Sequence, residues 1–103
     1  MSSIMWDKAT EEKFKQLIEK IPVFLRPIAQ EKVSKKALDL VRSANRTEIA
    51  EKDLVDAFFA ETPGGFQGPM KHDMETLGID YTKYGYTKDE WKTILGMKPP
   101  DKK

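Results

Sequence analysis

The sequence predicts a small all-α domain of three helices, followed by a C-terminal extension of two short helices. In the second half of the domain, a helix, a short extended step and a further helix follow one another. Apolar side chains recur at the period of an amphipathic helix through most of residues 9–61. Proline interrupts that period at residues 22 and 27, and a segment rich in proline and glycine ends it at residues 62–69. We therefore divide the chain into a helical domain, residues 1–61, and an extension, residues 62–103, packed on it.

The first two helices meet at a pair of prolines. Residues 9–21 carry Phe14, Leu17 and Ile18 at helical spacing, and Pro22 ends this helix. The second helix begins within residues 23–27, because a proline is tolerated in a first turn, and it runs to about residue 44. Its apolar positions are Ala29, Val33, Ala37, Leu40, Val41 and Ala44.

A polar turn at residues 45–49, interpreted as a single extended step, leads into the third helix at residues 51–61. The apolar residues of this helix cover most of its circumference: Leu54, Val55, Ala57, Phe58, Phe59 and Ala60. We expect one face to meet the core and another to meet the rest of the chain. If that second face meets a partner instead, Phe58 and Phe59 are candidate interaction residues.

The extension after residue 62 contains two predicted short helices. Pro69 starts the first, which ends at Gly78, and residues 79–86 are expected to be irregular. A Thr-x-x-Glu pattern beginning at Thr87 predicts the second over residues 88–95. The second part of this extension contains the aromatic residues Tyr81, Tyr84, Tyr86 and Trp91, and we expect them to fold back on the helical domain. In the alternative, Tyr84 and Trp91 contact a partner.

Composition excludes several kinds of chemistry. The 18 basic and 17 acidic residues give a formal net charge of +1, so no global field attracts nucleic acid or an anionic membrane. Cysteine is absent, which excludes disulfides, thiol nucleophiles and thiolate ligands. No basic segment followed by an apolar one opens the sequence, and no stretch is long and apolar enough to cross a bilayer. We therefore expect a cytoplasmic protein.

Two short motifs were weighed as sites for ligands. Residues 64–68 hold three glycines, as a phosphate loop would, but they follow a helix and lack a closing Lys-Ser or Lys-Thr pair, so we favour an interhelical loop. Met70, His72 and Met74 could ligate copper only in an extended segment, and we favour a surface histidine with two packed methionines. We expect no cofactor and no enzymatic activity.

A basic stripe on the second helix is the best candidate for contact with nucleic acid. It comprises Lys32, Lys35, Lys36, Arg42 and Arg46, which fall within about a third of the helical circumference. Asp39 interrupts the stripe, and no stacking or base-reading group accompanies it. We favour a solvated helix face over a binding surface.

Arg26 lies between the two prolines that separate the first two helices. We expect a structural role, in which its guanidinium pairs with a carboxylate or caps carbonyl groups at the bend. Because an exposed arginine beside apolar residues can also serve recognition, Arg26 remains a candidate interaction residue.

The order of residues from Trp6 to about Ala57 is similar to a known family. The similarity rests on Trp6 and Ala9, the run Ile21-Pro22-Val23-Phe24-Leu25-Arg26, then Val33, Ala37, Ile49, Leu54 and Ala57. These residues resemble the small helical domain named after protochlorophyllide reductase, which ends the B subunit of the light-independent enzyme and occurs in other bacterial proteins. The resemblance implies a noncatalytic accessory domain serving a redox or tetrapyrrole enzyme.

A second similarity involves residues 37–57, whose helix, short step and helix resemble the second half of a histone fold. That resemblance implies a dimer that binds nucleic acid through the basic stripe. We expect a protein-interaction module whose partner is another protein or a second copy of the chain, and the histone-like dimer is the alternative.

Overall fold

A computed structural model describes residues 3–88, and within them the all-α class is confirmed. The described residues form four α-helices: α1 (Lys8–Glu19), α2 (Arg26–Ser43), α3 (Glu51–Glu61) and α4 (Gln67–Thr76). Short 3₁₀ turns lie at Val23–Leu25, Gly64–Phe66 and Tyr81–Tyr84. The helix predicted over residues 88–95 lies outside the described residues.

Two short strands, β1 (Met5–Trp6) and β2 (Glu48–Ile49), pair in parallel and join the start of the chain to the step between α2 and α3. Trp6 pairs with Ile49, and each strand is followed directly by the N-cap residue of a helix: Asp7 for α1 and Ala50 for α3. The step that the sequence predicted as a lone extended segment is therefore one half of a pair.

Each of these two helices begins at a carboxylate that accepts backbone hydrogen bonds. Asp7 accepts from the Thr10 backbone N–H at 3.0 Å and from its hydroxyl at 2.8 Å. The cap of α3 is Ala50, which has no side-chain acceptor, so Asp53 supplies the reciprocal half of a capping box by accepting from the Ala50 N–H at 2.9 Å.

The core lies where α1, α2 and α3 meet, and the segment after residue 66 extends it. Fully buried side chains include Val41, Ile49 and Leu54 from the first part, and Met74, Ile79 and Tyr81 from the second. Burial of a large apolar side chain stabilises a fold by about 1.5–3 kcal/mol, so this part of the extension contributes substantially to stability. Met74, Ile79 and Tyr81 belong to one cluster of buried side chains with the core residues of α1, α2 and α3.

The described chain contains the same order of elements twice, and we name this the internal repeat. β1, α1, a 3₁₀ turn and α2 are followed by β2, α3, a 3₁₀ turn and α4. The two turns are built alike: Pro22 and Pro63, 41 positions apart, precede them with nearly equal backbone angles. In each turn the third residue donates its N–H to the proline carbonyl at 2.9 Å.

Candidate interaction site

The turn between α1 and α2 exposes a contiguous group of apolar side chains. Val23, Phe24 and Leu25 are 70%, 77% and 41% exposed, and Ile28 in the first turn of α2 is 52% exposed. We name these four residues the apolar tip. Single exposed apolar residues are ordinary, but a contiguous group is typical of an interaction surface.

The apolar tip is held rigidly on the two helices. Pro22 and Pro27 fix their own φ angles at its two ends, and Pro27 lies within the first turn of α2. Arg26 reaches back to the end of α1: its Nε donates to the Ile21 carbonyl and its Nη2 to the Glu19 carbonyl, both at 2.8 Å. The expected capping of carbonyl groups by Arg26 is confirmed, and it makes Arg26 a positioning residue for the tip.

The second turn shows which of these features the fold requires. Gln67 occupies the position of Arg26 and likewise donates from Nε2 to carbonyls of the preceding segment, those of Phe59 at 3.3 Å and Thr62 at 3.1 Å. In place of Val23 and Phe24, however, this turn has Gly64 and Gly65. The same backbone is therefore built without two consecutive apolar residues, so the turn itself does not explain the exposed Val23 and Phe24.

An open cleft of about 410 Å³ also lies along each helix pair. The α1/α2 cleft is lined by Trp6, Glu11, Phe14, Lys15, Ile18, Glu19, Gln30 and Ser34. The α3/α4 cleft is lined by Asp56, Phe59, Ala60, Gln67, Lys71 and the segment Gly85, Tyr86 and Thr87. Counted from the turns, four lining positions are shared by the two clefts: Lys15, Ile18, Glu19 and Gln30 correspond to Asp56, Phe59, Ala60 and Lys71.

The two clefts differ in what lies against them. In the α3/α4 cleft the Tyr86 ring stacks on Phe59 at 3.8 Å between centroids, and its hydroxyl donates to Asp56 Oδ1 at 2.6 Å. Burial, reinforced by Asp56, raises the pKa of Tyr86 to about 12. In the α1/α2 cleft no residue after the helix pair takes that position among residues 3–88. Trp6 stacks on Phe14 at one side of it.

The aromatic residues proposed from the sequence are mostly part of the fold. Phe58 is buried edge-on against Phe14, and Phe59 is buried beneath Tyr86. Phe58 and Phe59 are only 4% and 8% exposed, so both belong mainly to the core, and their role as interaction residues stays a prediction. Tyr84 is half-buried, and burial, together with Glu51, raises its pKa. Trp91 lies outside the described residues.

The basic stripe is not one free surface. Lys32 and Lys35 are exposed and Lys36 is half-buried, but Arg42 pairs with Asp39 at 3.4 Å. Arg46 is bound to the buried carboxylate of Asp53 through both terminal nitrogens, one of them at 3.1 Å. The hydrogen bond to Asp53 raises the pKa of Arg46. Two of the five cations are therefore engaged inside the chain.

In the structure, neither the glycine-rich segment nor the Met70, His72 and Met74 segment has the arrangement of a ligand site. Residues 64–66 form the 3₁₀ turn between α3 and α4, as an interhelical loop. On α4, Met70 and Met74 are buried while His72 is exposed, so the three side chains do not converge. Among residues 3–88 no group of three or more His, Asp or Glu could hold a metal. No helix in that part of the chain is long and apolar enough to cross a membrane.

The tip residues Val23, Phe24, Leu25 and Ile28 were not among the candidate site residues predicted from the sequence, although the sequence contains a signal for them. An apolar run between two prolines has no helical period, and such a run cannot be directed to a core by amphipathic packing.

Comparisons with protein-family models, with curated proteins and with solved structures found no match.

Proposed function

We propose that this chain is a noncatalytic protein-interaction module that binds another polypeptide through the apolar tip. The observation that carries the proposal is the difference between the two turns: both have the same backbone, and only the first carries exposed Val23 and Phe24. A rigid apolar element loses little conformational entropy on binding, which favours recognition. Arg26 holds that element in place from α1.

The class of partner follows from the resemblance made on the sequence. The tip coincides with the run Ile21-Pro22-Val23-Phe24-Leu25-Arg26, on which the similarity to the protochlorophyllide reductase-type domain chiefly rests. If that similarity reflects common ancestry, the module serves a redox or tetrapyrrole enzyme as an accessory domain. Its own contribution is then binding, without catalysis.

A histone-like dimer that binds nucleic acid is the weaker alternative. It relies on Lys32, Lys35, Lys36, Arg42 and Arg46 acting together. Arg46 instead pairs with Asp53, and Arg42 pairs with Asp39. Each contact to phosphate requires a free cation, so the stripe offers few such contacts.

Site-specific photocrosslinking tests the proposal in cells that produce the full chain. A benzophenone amino acid replaces Phe24 in one variant and Phe66 in a matched control. Phe66 is a suitable control because it is 67% exposed on the second turn, without exposed apolar neighbours in that turn. We expect discrete protein adducts, with another protein or with a second copy, at position 24 and not at position 66. Equal labelling at the two positions, or none at either, contradicts the proposal.

A further inference from the structure

The segment that carries the apolar tip is strongly basic, although the chain as a whole is nearly neutral. Residues 20–36 contain five basic side chains and one acidic side chain, a formal charge of +4 in a chain whose total is +1. None of these six side chains forms an ion pair with another residue among residues 3–88. Charges act over about 8–10 Å at ordinary salt, so a partner of the tip meets this local charge and not the average of the chain.

Two of these cations continue the apolar tip along one face of α2. At 100° per residue, Ile28, Lys32 and Lys35 lie within about 60° of one another, and all three are exposed. Val33 and Ala37 are buried on the opposite face. At a rise of 1.5 Å per residue, Lys35 lies about 10 Å beyond Ile28 along the helix. We name Lys32 and Lys35 the lysine pair.

The acidic groups near this face do not pair with the lysine pair. Asp39 is the next residue on the face, but it pairs with Arg42 at 3.4 Å. Glu31 lies at the margin of the face, about 60° from Ile28, and has no ion pair within residues 3–88. Glu19 lines the α1/α2 cleft from the side of α1. The exposed face therefore has an apolar end at the tip and a positive end at the lysine pair.

From this arrangement we infer that the partner of the apolar tip is an acidic amphipathic segment of another polypeptide. Apolar side chains of that segment cover the tip, and its carboxylates, one to two helical turns further along, lie against the lysine pair. The inference rests on the proposed function, since it states the chemistry of the partner that binds the tip. Complementary charges of this kind fix the direction of the bound segment and exclude basic competitors, while the apolar contact supplies most of the affinity.

The position of the acidic residues favours a polypeptide over an anionic bilayer or a nucleic acid. A flat anionic surface laid along this face of α2 would also meet Glu31 and Asp39, and both would repel it. A narrow polypeptide can follow the line from Ile28 to the lysine pair and avoid them. A nucleic acid offers phosphates to the lysines but no aliphatic side chains to cover Phe24 and Ile28.

Selection from a displayed library of random peptides tests the inference on the full chain. Peptides of about 12 residues are long enough, because such a peptide spans about 18 Å as a helix and the line from Phe24 to Lys35 measures about 16 Å at the same rise. We expect the enriched peptides to combine aromatic or aliphatic side chains with Asp or Glu one to two helical turns away.

The affinity of an enriched peptide, measured by fluorescence anisotropy, separates the two contacts. Phe24→Ser should weaken binding at least about tenfold, as loss of a central aromatic contact does. Lys32→Glu combined with Lys35→Glu should weaken it about tenfold, because two attractions become repulsions, and added salt should weaken binding to the parent. Lys8→Glu combined with Lys83→Glu is the matched control: it makes the same change in net charge at exposed positions elsewhere and should bind like the parent. Equal midpoints of urea unfolding verify that each variant is folded.

The outcomes distinguish this inference from the proposed function. Peptides that depend on Phe24 but are neutral or basic, or that bind the Lys32→Glu, Lys35→Glu chain like the parent, overturn the acidic partner and leave the proposed function in place. Vesicles of phosphatidylcholine and phosphatidylserine in equal parts, or a DNA duplex, that bind the parent and not Phe24→Ser overturn the polypeptide as the partner. A library that yields no peptide dependent on Phe24 also overturns the inference, and photocrosslinking at position 24 then decides the proposed function separately.

Discussion

Truncating Tyr86 tests whether the segment after α4 is held in its cleft as the structure shows. Tyr86→Phe removes only the hydroxyl that donates to Asp56 at 2.6 Å. A hydrogen bond to a charged group contributes about 1.5–3 kcal/mol, and Asp56 keeps a second partner in Lys52 at 2.7 Å. We therefore expect a loss at the low end of this range, about 1.5 kcal/mol.

Tyr86→Ala removes the ring as well and should cost more. An offset-stacked aromatic pair contributes about 0.5–1.5 kcal/mol beyond its buried area. Burying about 100 Å² of apolar surface adds about 2.5 kcal/mol, and relaxation of the segment over Phe59 recovers part of it. We expect a total loss of about 3 kcal/mol, measured as the change in free energy of unfolding in urea. Gln16→Ala, at an exposed position of α1 outside both clefts, is the control and should lie within about 0.5 kcal/mol of the parent.

The same tyrosine gives a pH dependence with a definite sign. Its pKa is raised to about 12 in the folded chain, whereas an unfolded tyrosine titrates near about 10. The folded state therefore favours the neutral phenol, and this contribution is complete below pH 10 and lost as the pH rises toward 12. The stability difference between the parent and Tyr86→Phe should shrink over that interval. If the parent and Tyr86→Phe instead lose stability in parallel, and Tyr86→Ala unfolds like Gln16→Ala, Tyr86 does not hold the segment as described.

Two further predictions concern arginines that bind inside the chain. Arg26→Ala leaves the carbonyls of Glu19 and Ile21 without this donor. We expect the free energy of unfolding in urea to fall by about 1–2 kcal/mol and association through the tip to weaken. Arg26→Lys should recover only part of this free energy, because one ammonium cannot reproduce two directed N–H donors. An unchanged unfolding midpoint with abolished association would assign Arg26 to direct recognition instead. Arg46→Ala should lower the melting temperature measurably, since it strips the buried Asp53 of its cation, whereas Arg42→Ala, which breaks a pair exposed on both sides, should leave it unchanged. Equal effects of the two substitutions, with loss of nucleic-acid binding in a titration of Arg46→Ala, would favour the histone-like alternative.

The helices were predictable because each is a local pattern. The predicted third helix matches Glu51–Glu61, and the predicted end of the second, near residue 44, lies one residue past Ser43. The first helix ends at Glu19, two residues before the predicted end, and the Arg26 guanidinium donates to the Glu19 carbonyl there. Apolar period and proline placement determine such boundaries to within a turn.

Contacts between distant segments were not predictable in the same way. The pairing of Met5–Trp6 with Glu48–Ile49 involves two residues per strand, too few for an alternating pattern. The Arg46–Asp53 pair was hidden because Arg46 fits the period of a solvated basic stripe, while its partner lies beyond the intervening turn. The exposure of the apolar tip could not be predicted for a related reason, since an unbroken apolar run indicates burial as readily as binding.

Comparison of the two units of the internal repeat distinguishes the features that the fold requires from those that it does not require. Both turns keep a proline at the start and a side-chain donor at the beginning of the next helix, so these features belong to the construction of the bend. Both clefts share four lining positions, so these positions belong to the packing of each helix pair. Among residues 3–88, the first unit differs in its exposed Phe24 and in a cleft against which no later aromatic ring lies. Since the second turn has glycines at the positions of Val23 and Phe24 and the same backbone, the bend does not require these two apolar residues, and their exposure supports the proposed contact at the apolar tip.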